Sequence, residues 1–120
     1  MKRRIFISLC MAILASVPVK AEDLAYTTNN DGTLTITGFA SDFTQQDNYT
    51  LVIPDEINGK AVTAISAGAF KGKTNFTSLT IGRNVKSIGN KAFESCTALT
   101  GVVIPNTVTF IGEDVFYGCI

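Results

Sequence analysis

The chain has 120 residues, ten basic and ten acidic side chains, and no histidine. Because no imidazole is present, Ser-His-Asp and Cys-His nucleophilic sites are excluded, and the commonest side-chain metal ligand is missing. The length suits one domain, near the lower limit for a self-sufficient hydrophobic core.

Residues 1–21 have the pattern of a secretory signal peptide. A basic start at 2–4 precedes an uncharged, mostly apolar run at 5–17, and 19–21 provides a small-residue cleavage pattern. The apolar run is shorter than the roughly 20 residues that a helix needs to cross a membrane, so we expect export and no membrane span after cleavage. Removing this segment leaves six basic and ten acidic residues, a net charge near −4 that does not favour nucleic acid as a partner.

A β-hairpin is predicted after the signal peptide. The β-prone segments 26–28 and 33–37 flank Asn30-Asp31-Gly32, and an Asp-Gly pair between such segments is the strongest short-range hairpin signal. The polar residues 40–48 then predict a loop. We therefore treat 22–48 as one region, a hairpin followed by a loop.

Residues 49–120 contain a sequence repeat with a 23-residue period. Shifting the sequence by this step brings apolar residues of three copies into register. The clearest columns are Val62, Val85 and Val108; Ile65, Ile88 and Ile111; and Phe70, Phe93 and Phe116. Three units are therefore predicted, of which the first carries five additional residues around the turn dipeptide Asn58-Gly59.

Each unit is expected to contain a strand, a second short strand and a tight helical turn. Polar and apolar residues alternate in 77–81 and at the start of 100–104, so Leu79, Ile81, Val102 and Ile104 should point inward. One such unit cannot bury its apolar face alone, and stacking on its neighbours is required. The fold class predicted is a repeat solenoid, mainly β with short helical turns, whose first edge is capped by the N-terminal hairpin and whose C-terminal end is uncapped.

These residues resemble the BspA-like leucine-rich repeats of bacterial surface proteins. The likeness covers 49–120, and it is carried by the valine, isoleucine and phenylalanine columns, Ile53-Pro54, Ile104-Pro105, Cys96 and Cys119. The sequence departs from the family pattern at five positions, with Gly82 for proline, Lys73 for cysteine, Phe76 for leucine, Ser66 for glycine and Val115 for alanine. The resemblance implies a right-handed leucine-rich-repeat-like stack in a secreted or cell-surface protein used for adhesion to host matrix proteins or other cells. It implies no fixed functional residues.

No catalytic, cofactor-binding or metal-binding residues are predicted, and the chain is not expected to be an enzyme. The adjacent carboxylates Glu113-Asp114 and Asp55-Glu56 diverge in direction, so we interpret them as solvated surface charges. Residues 29–32 lack the spaced carboxylates of a calcium loop.

Two kinds of pair lie one period apart. Cys96 and Cys119 would come within reach of a disulfide if adjacent units stack about 4.8 Å apart, or they form a ladder of buried thiols. We favour the thiols, because two cysteines are too few for a disulfide scaffold. Oppositely charged residues also lie 23 positions apart. We expect ion pairs between units, of Lys71 with Glu94 and of Lys91 with Asp114.

The outward strand positions form a candidate protein-binding face. Its columns are Thr50, Ser78 and Gly101, and Val52, Thr80 and Val103, to which Phe110 and Tyr117 add two exposed aromatic side chains. Small β-prone residues make a flat, mildly apolar surface, and aromatic residues tend to anchor interfaces. The partner expected is a host matrix or cell-surface protein, or a second copy that pairs through the open C-terminal edge. The alternative hypothesis is structural, with this chain as the N-terminal fragment of a longer leucine-rich-repeat surface protein whose function lies in downstream units.

Overall fold

The computed structural model of the protein describes Val19 and residues 21–44 and 46–120. Nearly all of the predicted signal peptide lies outside these residues. Among the described residues, no helix is long and apolar enough to cross a membrane.

The described residues form two sheets after a 3-10 turn at Ala21–Asp23. The strands are β1 (Leu24–Thr28), β2 (Leu34–Phe39), β3 (Tyr49–Ile53), β4 (Glu56–Ile57), β5 (Lys60–Ile65), β6 (Phe76–Ile81), β7 (Ser87–Ile88), β8 (Gly101–Val103) and β9 (Phe110–Ile111). The first sheet has the strand order β3-β6-β8, and the second has the order β1-β2-β5-β7-β9, with the short β4 paired to β5. Strands from successive units are parallel neighbours in both sheets, so the predicted solenoid is confirmed.

Strand pairing follows the sequence period. In the first sheet Leu51 lies opposite Leu79, which lies opposite Val102. In the second sheet Ile65, Ile88 and Ile111 form one row. In the first sheet, the step from Leu51 to Leu79 is longer than the 23-residue period. The reason is that the five additional residues lie between β3 and β5, in the region of β4 and the Asn58-Gly59 turn. An insertion at a turn leaves the register of the strands intact.

The N-terminal hairpin forms as predicted and joins the second sheet. β1 and β2 are antiparallel, and β2 runs parallel to β5 with Ile36 opposite Ile65. At the corresponding edge of the first sheet, Val19 forms a parallel bridge with Leu51. The hairpin thus occupies the leading edge of the second sheet, and Val19, which lies within the predicted signal peptide, occupies that of the first. The energetic role of the hairpin as a cap stays a prediction.

The segments predicted as helical turns contain consecutive β-turns and no helix. Instead of closing helical hydrogen bonds, alternate backbone N–H groups donate to carbonyl oxygens of the next unit at 2.8–3.0 Å. These bonds are Gly68 to Asn90, Phe70 to Ala92, Gly72 to Glu94, Lys91 to Glu113, Phe93 to Val115 and Ser95 to Tyr117. We call this set the turn ladder. The columns 68, 91, 114 and 72, 95, 118 all have positive φ, which interrupts right-handed helical geometry at two places in each turn segment.

Aromatic side chains fill the core between the sheets and the turn ladder. Phe70, Phe93 and Phe116 form a phenyl stack with ring centroids 5.5 and 5.6 Å apart and planes within 8° of parallel. Phe76 meets Phe93 edge-on, and Tyr49 packs against Phe76. Offset and edge-on aromatic pairs add about 0.5–1.5 kcal/mol beyond the area they bury, so this column links the units energetically.

The last unit differs from the prediction that its strand residues are buried. Val102 and Ile104 are 38% and 37% exposed, whereas the equivalent Leu79 and Ile81 are 1% and 4% exposed. Val102 points in the predicted direction, because it lies in the row of Leu79, and Ile104 directly follows β8. They are exposed because β8 is the last strand of its sheet and nothing in the described residues packs on its far side.

Candidate protein-binding face

The outward columns of the first sheet are confirmed by the strand register. Thr50 lies opposite Ser78 and Val52 opposite Thr80 in the pairing of β3 with β6. β8 continues both columns with Gly101 and Val103, the latter 66% exposed. We call these six residues the β3-β6-β8 face.

The β3-β6-β8 face is narrow and carries no charge. Neighbouring strands lie about 4.8 Å apart, so its two outer strands are separated by about 10 Å. Hydroxyl groups occupy three of the six positions, at Thr50, Ser78 and Thr80. Val52 and Val103 lie on either side of Thr80, at opposite edges of its column. Such a surface can contact an extended segment or a small epitope, and it is smaller than the roughly 800 Å² per partner of a standard protein interface.

The two predicted aromatic residues are exposed but lie elsewhere. Phe110 is 55% exposed on β9, at the edge of the second sheet, and Tyr117 is 68% exposed at the end of the turn ladder. The predicted site residues are therefore distributed over three surfaces, because each unit contributes one strand to each sheet and a turn segment after the second strand. Periodicity showed that each position is repeated, but it did not show which side of the solenoid each position occupies.

A second outward row was missed by the sequence interpretation. It runs across the second sheet through Thr27, Thr35, Ala64, Ser87 and Phe110. Four of these five residues have small side chains, and the neighbouring Thr33 and Thr63 hydroxyl groups are hydrogen-bonded at 3.0 Å. The alternation within 33–37 and the 23-residue step from Ser87 to Phe110 were the signals that could have identified it.

Both cysteines are free thiols that stabilise the contact between units. Cys96 Sγ donates to the carbonyl oxygen of Phe70 at 3.2 Å, and Cys119 Sγ donates to that of Phe93 at 3.1 Å. Burial raises the pKa of Cys96 to about 12, and the negative charge that Cys119 would carry acts in the same direction. Cys96 is therefore a poor nucleophile at neutral pH, which favours a packing role over a reactive one.

Charged side chains pair between units only in part as predicted. Lys71 Nζ lies 3.1 Å from Glu94 Oε1. Within the described residues, Lys91 and Asp114 form no ion pair; both have positive φ, and both are exposed. A pair that the sequence interpretation missed joins Arg83 to Asp55, 28 positions apart, because the five-residue insertion lengthens that step.

The Asp55 carboxylate is the most extensively bonded of these groups. It accepts hydrogen bonds from the Arg83 backbone N–H at 2.7 Å and from Nη2 and Nε at 2.8 and 3.2 Å. The side-chain hydrogen bond from Arg83 is the largest cause that lowers the pKa of Asp55 below its usual value. Asp55, Glu56, Arg83 and Asn84 line an open polar depression, but the acid and the base already satisfy each other. No group of three or more acidic or cysteine side chains among the described residues is arranged to hold a metal ion.

A family model described as the BspA type leucine-rich repeat region matches residues 43–120 in six copies. The chain belongs to this family. The resemblance recognised from the columns of valine, isoleucine and phenylalanine is thus confirmed, as is the leucine-rich-repeat-like fold. Proteins of this kind are typically non-enzymatic interaction modules, and nothing in the described residues indicates catalysis.

Solved structures with the same fold are bacterial leucine-rich repeat proteins. A T. pallidum leucine-rich repeat protein matches 86% of the chain and 46% of its own length, with 24% identity and a TM-score of 0.75, which shows the fold alone. A leucine-rich cell surface protein from Faecalibacterium prausnitzii matches 88% of the chain and 29% of its own length, with 26% identity and a TM-score of 0.69. A leucine-rich repeat protein from Bacteroides ovatus matches 81% of the chain and 26% of its own length, with 30% identity and a TM-score of 0.70. The chain thus spans less than half the length of these three proteins, and a comparison with curated proteins finds no match.

Proposed function

We propose that the chain is an exported, surface-exposed interaction module that binds a host matrix or cell-surface protein through the β3-β6-β8 face. The observation that carries the proposal is the uncharged double column of small side chains, displayed by parallel strands that are paired in register. A rigid scaffold lowers the entropy lost on binding. The name of the F. prausnitzii structure, a leucine-rich cell surface protein, supports the proposed location.

Binding through this face is tested by one substitution in it and one matched substitution outside it. Thr80 is exposed in the centre of the face, and Thr74 is exposed before β6, away from the columns. A lysine at position 80 would place a long charged side chain between the two valines, and desolvating it would weaken any contact there. We expect Thr80→Lys to reduce retention on immobilised collagen, fibronectin or laminin at least tenfold, and Thr74→Lys to leave it within twofold of the unmodified protein.

Biosensor measurement on the three coated matrix proteins, with circular dichroism of each variant, provides the readout. Equal retention of both variants and the unmodified protein would assign binding to another surface. No retention on any of the three coatings would contradict adhesion to matrix proteins.

Export is a separate part of the proposal and has its own test. The full-length gene is expressed in a bacterial host, and the mass and N-terminal sequence of the chain outside the cytoplasm are determined. Cleavage after Ala21 is the expected result. A chain retained in the cytoplasm with residues 1–21 still present would contradict export.

A second candidate function is structural, as the leading part of a longer surface solenoid. The related structures favour it, since the chain matches only 46% and 29% of the first two. The DNA sequence downstream of codon 120 in the source genome is the test. Further in-frame repeats with the same period would support this candidate, and an immediate stop codon would contradict it.

A further inference from the structure

Strand β1 forms a free edge of the second sheet. It stands first in the strand order β1-β2-β5-β7-β9, and its one strand partner is β2. The chain just before β1 leads away to the other sheet, where Val19 bridges to Leu51. Among the described residues, no segment is therefore paired to the outer side of β1. The path of the chain at the hairpin creates this edge.

Alternate backbone groups of β1 point away from β2. Just before the strand, the Asp23 carbonyl oxygen accepts a hydrogen bond from the Ala40 N–H at 2.8 Å. Just after it, the Asn29 N–H donates to the Thr33 carbonyl oxygen at 2.7 Å. Backbone groups in an antiparallel ladder alternate between the two sides of a strand. Since both of these odd-numbered residues face the β2 side, the outward N–H and C=O groups belong to Leu24, Tyr26 and Thr28.

The free edge of β1 has none of the usual protection against pairing. Edge strands are commonly protected by lysine, by proline or by a bulge. The sequence of β1, LAYTT, contains neither proline nor a charged side chain. The register shift of the hairpin leaves β1 regular, because the extra residue, Thr37, lies on β2 between the partners of Ala25 and Tyr26. The outward groups of β1 can therefore accept a further strand.

Tyr26 marks the same edge with an exposed aromatic side chain. It lies opposite the fully buried Ile36, so it points toward the inner face of the sheet, yet it is 39% exposed. The first sheet reaches only from β8 to β3 and the Val19 bridge, so it has no strand that would cover β1. Outside residues 101–120, Tyr26 is the single exposed large hydrophobic side chain of the described residues. Aromatic residues of this kind tend to anchor interfaces.

We propose that β1 pairs antiparallel with β1 of a second copy, across a two-fold axis at Tyr26, so that the second sheets of the two copies join into one. Tyr26 then lies opposite its own equivalent, and Leu24 lies opposite Thr28 of the second copy. All the outward groups face one another in this register and can form about six hydrogen bonds. A shift by two residues would place part of β1 against the 3-10 turn or the hairpin turn instead.

Charged residues near β1 favour the antiparallel orientation. Glu22 and Asp23 precede the strand, and Asn29 and Asn30 follow it. Antiparallel pairing places each of the two carboxylates beside an uncharged asparagine of the second copy. Parallel pairing in register would place the acidic residues of the two copies against each other, and like charges directly opposite are destabilising. The edge is thus complementary to itself in one orientation only, which favours a second copy as the occupant.

The proposed contact is small, so the dimer should be weak. It involves one strand of five residues from each copy, far less than the roughly 800 Å² per partner of a standard interface. We expect a monomer–dimer equilibrium that depends on concentration between roughly 10 μM and 1 mM. The β3-β6-β8 face belongs to the other sheet, so the inference goes beyond the proposed function and leaves that face free.

Charge substitution at the two-fold axis tests the register. Tyr26→Lys or Tyr26→Glu places two like charges opposite each other, and we expect each variant to weaken dimerisation at least tenfold by analytical ultracentrifugation. An equimolar mixture of the two variants should recover the dimer, because lysine then lies opposite glutamate. Tyr117→Lys is the matched control, since Tyr117 is an exposed tyrosine in the last turn segment, and it should stay within twofold of the unmodified protein. Circular dichroism establishes that each variant is folded.

Amide hydrogen exchange followed by NMR tests the edge itself. Raising the protein concentration over the same range should slow exchange at Tyr26 and Thr28 at least fivefold, because their N–H groups point outward. Exchange at Ala25 and Thr27 should change less than twofold, because their N–H groups already face β2.

Three outcomes would overturn the proposal. The first is a protein that stays monomeric throughout the concentration range. The second is a dimer that Tyr26→Lys leaves intact, which would place the contact on another surface. The third is a mixture of the two charged variants that stays monomeric, which would exclude pairing across an axis at Tyr26. Loss of matrix binding in Thr80→Lys concerns the other sheet, so the proposed function and this inference fail separately.

Discussion

Gly89 lies at a close backbone contact between two units, and replacing it should weaken the whole solenoid. An added Cβ would lie 2.5 Å from the Ala67 backbone nitrogen and 2.8 Å from its Cα. The units cannot separate freely, because the Gly89 N–H donates to the Ile65 carbonyl oxygen at 2.8 Å. Overpacking of this kind costs about 1–3 kcal/mol. The lower backbone entropy of alanine in the unfolded chain offsets about 0.5–1 kcal/mol of it.

We therefore expect Gly89→Ala to lower the free energy of unfolding by about 1–2 kcal/mol. Urea unfolding followed by circular dichroism measures this change, and a typical slope of about 1–3 kcal/mol per molar urea converts it into a midpoint lowered by about 0.3–2 M. Gly101 provides the matched control on β8, since its added Cβ would meet only Ser78 Oγ at 4.0 Å. Gly101→Ala should be neutral or stabilise by a few tenths of a kcal/mol. Equal midpoints for the two variants would refute the reasoning from backbone contact.

Three further predictions concern backbone conformation and ionisation. Lys91 has φ 60°, a left-handed conformation that costs about 1–2 kcal/mol for an L-residue, so Lys91→Gly should raise the urea midpoint. Burial raises the pKa values of Cys96 and Tyr49 to about 12. The folded state therefore retains protons that the unfolded state loses from about pH 9, and the free energy of unfolding should fall as the pH rises toward 12. The lowered pKa of Asp55 acts in the opposite direction, because its contribution exists above the unfolded pKa and should be lost as the pH falls through the folded value.

Each of these predictions has its own control. Lys86→Gly, at an exposed position without positive φ, should lower the midpoint, and a decrease for Lys91→Gly as well would contradict the argument from φ. Cys96→Ala should make the alkaline loss of stability shallower by up to about 1.4 kcal/mol per pH unit; an unchanged slope would assign the loss to other groups. Asp55→Asn should reduce the acid-induced change in midpoint, and an identical acid profile would show that the Arg83 contact does not stabilise the fold.

The architecture was largely predictable because apolar residues that recur at one step must occupy equivalent places in a stack. The rows through Leu79 and Ile88 followed directly from the 23-residue register, and the Asp31-Gly32 turn located the hairpin. The columns of the β3-β6-β8 face were predicted residue by residue for the same reason. The contact between Asp55 and Arg83 was missed since the insertion lengthens the local step beyond the period, although the equivalent step from Ile53 to Ile81 was visible in the sequence.

The sequence by itself determined which residues of successive units are equivalent, and it thereby determined the family, the two kinds of strand and the inward rows. Tertiary structure alone decided the path of the backbone within a unit, which replaces a helical turn by the turn ladder and places Phe110 and Tyr117 on different surfaces. It also decided which equivalent residues are buried, since Ile88 has a neighbour on both sides and Ile111 on one. The physical reason is that a sequence period shows which residues are equivalent, whereas the burial of a residue and the direction of its hydrogen bonds depend on the units packed on either side of it.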